Sequence, residues 1–139
     1  MRSRLWLVIV LAAAGCAHGA PDAPASLRGT SWQLVKFQGG DGTVIVLQDR
    51  TKFTVAFATD GNVNVRFDCN QGRGTWTSPG SQQLQFGPLA LTRAACPGPL
   101  YDRIVMQWTF VRSYVFERGH LFLSLMADGV TYEFEPTGP

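Results

Sequence analysis

Two cysteines, Cys69 and Cys96, are the side chains of this sequence with the clearest capacity for chemistry. The chain has three cysteines among its 139 residues, and the third, Cys16, lies near the N-terminus. If the domain is exported and Cys16 is lipidated, as argued below, no third cysteine competes, and Cys69 and Cys96 are expected to pair as a disulfide. A redox-active pair or a catalytic thiol is the alternative, but the sequence has no Cys-x-x-Cys motif and no basic cluster beside either cysteine. We therefore predict a structural disulfide that contributes about 3.6 kcal/mol of stability.

Residues suited to acid–base or metal chemistry are few. The chain has two histidines, His18 and His120. A catalytic triad or a zinc site needs more than one well-placed imidazole or a cluster of ligands. The stretch Gly72-Arg73-Gly74 lacks the spacing and the strand-to-helix context of a phosphate-binding loop. We predict that the protein is not an enzyme and has no catalytic residue, no metal site and no cofactor.

A contact surface is better supported in the stretch around Cys69. Arginine and tryptophan are frequent interface residues, and here they occur together with amide side chains. The predicted binding surface consists of Arg66, Asn70, Gln71, Arg73 and Trp76. The alternative is that Trp76 belongs to the core and that the arginines only keep the surface solvated. The expected partner is an envelope protein, and the domain is expected to be a monomer.

The first sixteen residues have the features of an export signal. Two arginines precede an apolar run of ten residues, Leu5–Ala14. This run is too short to span a bilayer, which needs about 20 residues, but its length is typical of a signal peptide. The run ends in Ala13-Ala14-Gly15-Cys16, which resembles a lipobox, so residues 1–16 are predicted to be a lipoprotein signal peptide with Cys16 as the lipidated residue. Because Ala13 stands where a branched apolar residue is usual, cleavage by the general signal peptidase is the alternative.

The residues after Cys16 predict where the protein is held. Ala17 resembles an outer-membrane sorting residue rather than the aspartate associated with inner-membrane retention. Residues 17–26 are small, polar and proline-bearing, which is typical of a flexible tether. We therefore predict a protein of the bacterial cell envelope that is anchored through lipidated Cys16 in the outer membrane and faces the periplasm.

The charge balance argues against nucleic-acid binding. The chain has 12 basic and 10 acidic residues. Without Arg2 and Arg4 of the signal peptide, the basic residues equal the acidic ones in number, and no run of like charges occurs. A nucleic-acid partner requires a basic patch, so none is expected.

The remainder, residues 27–136, is long enough for one domain with a single core. Residues 52–57 and 62–67 alternate apolar and polar side chains, which predicts two strands joined at a turn that contains Asp60-Gly61. Shorter stretches of the same kind bring the total to seven or eight strands. The pattern predicts an antiparallel sheet that is strongly curved or forms a partial barrel.

One segment has helical rather than strand periodicity. After Pro97-Gly98-Pro99, apolar residues recur at intervals of four, four and three: Leu100, Ile104, Trp108 and Val111. We predict a helix over about 100–112 with this stripe packed on the sheet, because burial of each large apolar side chain contributes about 1.5–3 kcal/mol. The fold class is therefore α+β and β-dominated, in a single domain.

Several motifs taken together resemble the META domain family, including its HslJ-like exported bacterial lipoproteins. The resemblance covers about residues 27–136 and rests on the order and spacing of these pieces: Leu27-x-Gly29-Thr30-Ser31-Trp32-x-Leu34, Cys69-Asn70-x-x-x-Gly74-x-Trp76, Leu84-x-Phe86-Gly87-Pro88-Leu89-Ala90-x-Thr92-x-x-Ala95-Cys96, Tyr114…Gly119-x-Leu121-x-Leu123 and Gly129…Phe134. The family tends to have glycine before its Cys-Asn pair. This chain has Phe67-Asp68 there, so its backbone need not adopt a conformation reserved for glycine.

The resemblance implies a location more than an activity. META domains occur in exported, often lipid-anchored bacterial proteins associated with envelope stress or drug tolerance, and the family has no established enzymatic activity or agreed ligand. We therefore expect a non-enzymatic envelope lipoprotein that acts through protein contacts. The alternative is a periplasmic small-ligand carrier or inhibitor that uses the mouth of the curved sheet, which would require an apolar cavity of about 300 Å³ or more.

Overall fold

Alternating apolar residues form strands along most of the domain. The structure is a computed structural model that describes residues 26–126 and 129–138. The predicted signal peptide, Cys16 and all of the predicted tether except residue 26 lie outside the described residues. The strands are β1 (Thr30–Gln38), β2 (Val44–Val46), β3 (Phe53–Phe57), β4 (Asn62–Phe67), β5 (Asn70–Thr77), β6 (Gln85–Phe86), β7 (Ala90–Leu91), β8 (Val111–Glu117), β9 (His120–Leu125) and β10 (Thr131–Pro136).

The strands form one strongly curved antiparallel sheet. Eight of them follow one another in the order β6-β5-β4-β3-β1-β10-β9-β8, while β2 pairs with β1 and β7 pairs with β5. Backbone hydrogen bonds then connect the two ends of this path. The Leu84 N–H donates to the Arg112 carbonyl at 3.0 Å, and the Tyr114 N–H donates to the Gln82 carbonyl at 2.9 Å. The sheet is therefore nearly closed, which confirms the predicted partial barrel.

The interior of the barrel is filled with aromatic and aliphatic side chains. Trp108 stacks on Phe86 with ring centroids 4.0 Å apart, and the edge of Trp108 meets Phe67 at 5.1 Å. These rings belong to three separate segments of the chain, so they join the helical segment to β4 and β6. The largest fully buried side chains are Trp108, Tyr132, Phe37, Phe57, Phe67, Phe134, Leu27, Leu34, Leu84, Ile104, Leu121 and Leu123.

One helix, α1 (Pro99–Gln107), covers the end of the barrel where β1 finishes, and a 3-10 turn (Trp108–Phe110) continues it. All four residues of the predicted stripe are buried, which confirms the face that was expected to dock. The helical segment ends two residues before the predicted limit, because Val111 begins β8. No helix in the described ranges is long and apolar enough to cross a membrane.

Polar contacts also hold α1 in place. The Tyr132 hydroxyl donates to Gln107 Oε1 at 2.6 Å, and Arg103 lies 3.3 Å from Asp41 Oδ2 in the turn after β1. The chain enters β1 at residue 30, at the opposite end from this turn. A nine-residue strand spans about 30 Å, so the N-terminal entry and the helix lie at opposite ends of the barrel.

Candidate functional site

Cys69 and Cys96 form a disulfide, as predicted, with their Cα atoms 5.6 Å apart. Cys69 precedes β5 directly, and Cys96 lies in the segment that leads into α1. The bond therefore joins the start of β5 to the chain that carries the helix. The disulfide closes a loop with a sequence separation of 27 residues.

Next to this disulfide, Asn70 is buried completely and connects the same two parts of the chain. Its side-chain nitrogen lies 2.9 Å from the Ala94 carbonyl, from the Tyr101 hydroxyl and from Cys96 Sγ, and its two N–H groups serve at most two of these acceptors at once. Its oxygen accepts from the Ala94 N–H at 2.8 Å and from the Thr92 hydroxyl at 2.9 Å. Asn70 is thus a structural hydrogen-bonding centre. Its predicted place in a contact surface is wrong, because no part of it is exposed.

Trp76 is the second residue of the predicted surface that the structure places inside. Only 5% of it is exposed, and its ring meets the Phe57 ring edge-on at 5.3 Å. Its indole N–H donates to the Ala58 carbonyl at 3.3 Å, and the Arg28 guanidinium lies 5.5 Å from the ring centroid. The prediction of Trp76 as a contact residue is therefore corrected: it belongs to the core, because β5 turns it toward the barrel interior.

The three remaining residues of the predicted surface lie together on the outside of the barrel. Arg66 on β4 is the cross-strand partner of Gln71 on β5, and Arg73 is opposite Asn64. These side chains border an open depression of about 470 Å³, which we call the outer groove. Its lining residues are Thr54, Ala56, Asn64, Val65, Arg66, Gln71, Gly72, Arg73 and Ala90.

Two glycines determine the shape of β5 beneath the outer groove. A Cβ atom at Gly72 would lie about 2.4 Å from a methyl group of Leu91, and one at Gly74 would lie 2.8 Å from the Pro88 carbonyl oxygen. A side chain at Gly74 would displace the backbone at Pro88, whereas one at Gly72 would force the Leu91 side chain to move. The Gly-x-Gly pattern therefore serves close packing of neighbouring strands.

Both arginines of the outer groove are held by their Nε atoms. Arg66 Nε donates to the Asp68 carbonyl at 3.0 Å, and Arg73 Nε donates to Asn64 Oδ1 at 3.1 Å. The groove lining contains these two guanidinium groups and no carboxylate. The outer groove is therefore a positively charged surface with fixed hydrogen-bond donors.

The backbone at Asp68 differs from the sequence expectation. Asp68 has a φ of 55°, which is the left-handed conformation that glycine adopts most readily. Aspartate is one of the few other residues that tolerate it. The expectation that this position need not adopt such a conformation is therefore wrong. The tight connection between β4 and β5 requires it, whichever residue stands there.

A second polar cluster lies on the outer face of β1, β9 and β10. Glu133 on β10 contacts Lys36 Nζ at 2.9 Å through one oxygen and His120 Nδ1 at 2.8 Å through the other. The pKa of Glu133 lies below its usual value, mainly because Lys36 donates a hydrogen bond to it and also because His120 does. Within the described ranges, no three His, Cys, Asp or Glu side chains are grouped so that they could hold a metal ion.

Sequence reasoning identified part of the outer groove and missed the rest. Thr54 and Ala56 come from β3, and Ala90 comes from β7. The alternation along β3 assigns Thr54 and Ala56 to the outer face, so they could have been found. Ala90 could not, because its two-residue strand carries no periodic signal.

Comparison with known proteins identifies the family. The META domain family model matches residues 25–137. The chain belongs to the META domain family. No curated protein sequence matches this META domain chain.

Two solved structures are similar to this META domain in fold. One is the NMR structure of a protein from Burkholderia xenovorans, which is 23% identical, has a TM-score of 0.64, and is aligned over 94% of this chain and 100% of its own. The other is the crystal structure of a DUF4847 family protein from Bacteroides vulgatus, which is 15% identical, has a TM-score of 0.57, and is aligned over 77% of this chain and 92% of its own. At these identities the similarity concerns the fold alone.

Proposed function

We propose that this META domain protein is a non-enzymatic lipoprotein of the bacterial cell envelope that acts through protein contacts in envelope stress or drug tolerance. The observation that carries the proposal is the outer groove. The sequence predicts Arg66, Gln71 and Arg73 as contact residues, and they lie side by side on one exposed face. A face with two fixed guanidinium groups is suited to recognition, because arginine is enriched at interfaces.

The packing of the barrel favours contacts on its surface over transport of a ligand inside it. A carrier would hold its ligand among inward-facing side chains, in an apolar cavity of about 300 Å³ or more. In the described residues, those positions are occupied by rings in direct contact, such as Phe86 on Trp108. The packing at the helix end also leaves little room for a mouth, because Leu100 and Ile104 are buried there.

The position of the N-terminal entry is compatible with a lipid anchor. Leu27 is buried at the end of the barrel opposite α1, so the described part of the chain begins at that end. Ten tether residues extend at most about 35 Å, which would hold the domain close to the membrane through Cys16. The outer groove lies on the side wall, so such an anchor would leave it accessible.

Site-specific photo-crosslinking in intact cells tests this function. A photoreactive residue at position 71 lies in the groove, whereas one at position 115 lies on β8, where Val115 is 41% exposed. We expect a discrete adduct from position 71, none of the same mass from position 115, and a smaller yield of the adduct in Arg73→Gln. The same adduct from both positions, or no adduct from position 71, would contradict the proposal. The mass of the mature N-terminus, compared with Cys16→Ser, tests the anchor separately.

A further inference from the structure

The two arginines of the outer groove present two guanidinium groups on one exposed face. Arg66 pairs across the strands with Gln71, and Arg73 pairs with Asn64, so the arginines are diagonal neighbours on one face. Diagonal neighbours are about 7–8 Å apart, which is close to the distance of about 7 Å between residues i and i+2 on one face of an extended segment. The flat guanidinium fork is matched to the two oxygens of a carboxylate.

The arginines are also oriented before any ligand arrives. Each uses its Nε for an intramolecular hydrogen bond, to the Asp68 carbonyl or to Asn64 Oδ1. Neither terminal guanidinium nitrogen of either arginine has a hydrogen-bond partner within the described ranges. Binding therefore costs less side-chain entropy than it would for two freely moving arginines.

The nearby carboxylates are occupied elsewhere. Asp60 accepts from the backbone N–H of Asn62 at 2.9 Å and from its side-chain amide at 2.7 Å. Asp49 accepts from the Thr51 N–H at 3.1 Å and from the Thr51 hydroxyl at 2.6 Å. These hydrogen bonds keep the aspartates in turns at the ends of the strands. Among the described residues, neither aspartate forms a direct ion pair with Arg66 or Arg73. The hydrogen bonds are the main cause that lowers the pKa of each aspartate, and the charge of Arg66 contributes at Asp49 and that of Arg73 at Asp60, so the groove keeps only part of its positive charge.

The other groups of the groove fit a peptide better than a free ion. An oxyanion needs only donors, whereas the groove also offers the amide of Gln71 and the hydroxyl of Thr54, which both donate and accept. A peptide backbone presents N–H and C=O groups together and uses both. We propose that the outer groove binds an extended, acidic segment of a partner protein, with one carboxylate at Arg66 and another at Arg73. This inference rests on the proposed function and specifies the chemistry of the partner.

Titration of the full mature protein in non-ionic detergent tests the inference. The probes are the peptide acetyl-Ala-Glu-Ala-Glu-Ala-amide, its glutamine counterpart and inorganic phosphate, and the readout is the ¹⁵N resonance of each arginine Nε. We expect saturable shifts at Arg66 and Arg73 with the glutamate peptide only. An exposed ion pair contributes about 0.2–1 kcal/mol, so Arg73→Gln weakens binding up to about five-fold. Arg118→Gln is the control, because that side chain is 89% exposed on a hairpin away from the groove and leaves binding unchanged.

Three results would overturn the acidic-segment assignment. Equal binding of the glutamine peptide would remove the role of the carboxylate, and equal or tighter binding of phosphate would indicate a small-ion site. Arg73-dependent binding to phosphatidylglycerol vesicles in place of the peptide would indicate a membrane site. If photo-crosslinks at position 71 depend on Arg73 but the glutamate peptide does not bind, the acidic-segment inference is wrong and the proposed function is still supported. If the crosslinks are also absent, both the acidic-segment inference and the proposed function are wrong.

Discussion

Replacement of Asn70 by alanine should destabilise the domain more than any other single polar substitution near the disulfide. Asn70 makes four hydrogen bonds at a time, since it accepts two and donates two. A net contribution of about 1 kcal/mol for each gives a loss of about 4 kcal/mol. Domains of this size have a total stability of about 5–15 kcal/mol, so the change should shift the unfolding midpoint strongly.

Urea denaturation of Asn70→Ala measures this loss, and Gln71→Ala is the matched control. Gln71 is the next residue on the same strand and is exposed, so its truncation should change the free energy of unfolding by less than about 0.5 kcal/mol. Amide hydrogen exchange gives a local readout. The Ala94 N–H donates to Asn70 Oδ1, so it should lose protection in the variant before the amides of β9 do.

A small loss would refute this account of Asn70. If Asn70→Ala costs less than about 1 kcal/mol, or if Ala94 stays protected from exchange, the buried amide does not hold the 92–96 segment. The disulfide would then be the main connection between β5 and the start of α1.

Three further changes should have effects that follow from the same geometry. The double variant Cys69→Ala/Cys96→Ala should lose about 3.6 kcal/mol of the free energy of unfolding measured in urea, because the unfolded chain is no longer constrained by the disulfide loop. Equal stability with and without the bond would contradict this. Asp68→Gly should gain about 1 kcal/mol of stability because glycine adopts the left-handed backbone conformation without strain, whereas Asp68→Val should lose stability. If the glycine variant is destabilised, the contacts of the aspartate side chain outweigh the strain of its backbone. The folded-state pKa of Glu133 is lowered, chiefly by the hydrogen bond from Lys36. The ionised carboxylate therefore contributes stability above the unfolded pKa of about 4.3, and this stability is lost as the pH falls through the lower folded-state pKa. The urea midpoint should therefore fall more between pH 5 and pH 3 in the wild type than in Glu133→Gln, and parallel pH profiles would count against the ion pair.

Periodicity is the reason that much of the fold could be predicted. The alternation in residues 62–67 and the helical spacing after Pro99 each assign a buried face, and the structure buries those faces. The same signal is weak along β5. Asn70 and Trp76 share the inward face, but the inward positions between them are the glycines Gly72 and Gly74. Because these two glycines have no side chains, the alternation of inward and outward residues along β5 is not visible in the sequence. The buried asparagine then looks like a polar surface residue.

Contacts between distant segments could not be predicted in the same way. The carbonyl and N–H of Ala94 meet Asn70 only because the 92–96 segment folds back over the start of β5. No local pattern encodes a pairing of this kind, whose sequence separation is 24 residues. The outer groove is an intermediate case. Its arginines were selected from the sequence, and their proximity depends on the register between β4 and β5.

The seam where the barrel closes, between residues 82–84 and β8, affects how the protein unfolds when it is heated. Residues 82–84 meet β8 through a single isolated bridge, Gln83 to Ser113, which consists of the two backbone hydrogen bonds donated by Leu84 and Tyr114. β1 and β10, in contrast, are paired over six positions. Thermal opening should therefore begin at this seam. Loss of the hydrogen bonds at this seam leaves two strand edges unpaired. Unpaired strand edges can pair with other chains, which starts intermolecular aggregation. The seam is thus the weakest pairing in the described part of the barrel wall, whereas β1–β10, β4–β5 and β8–β9 are each paired over six positions.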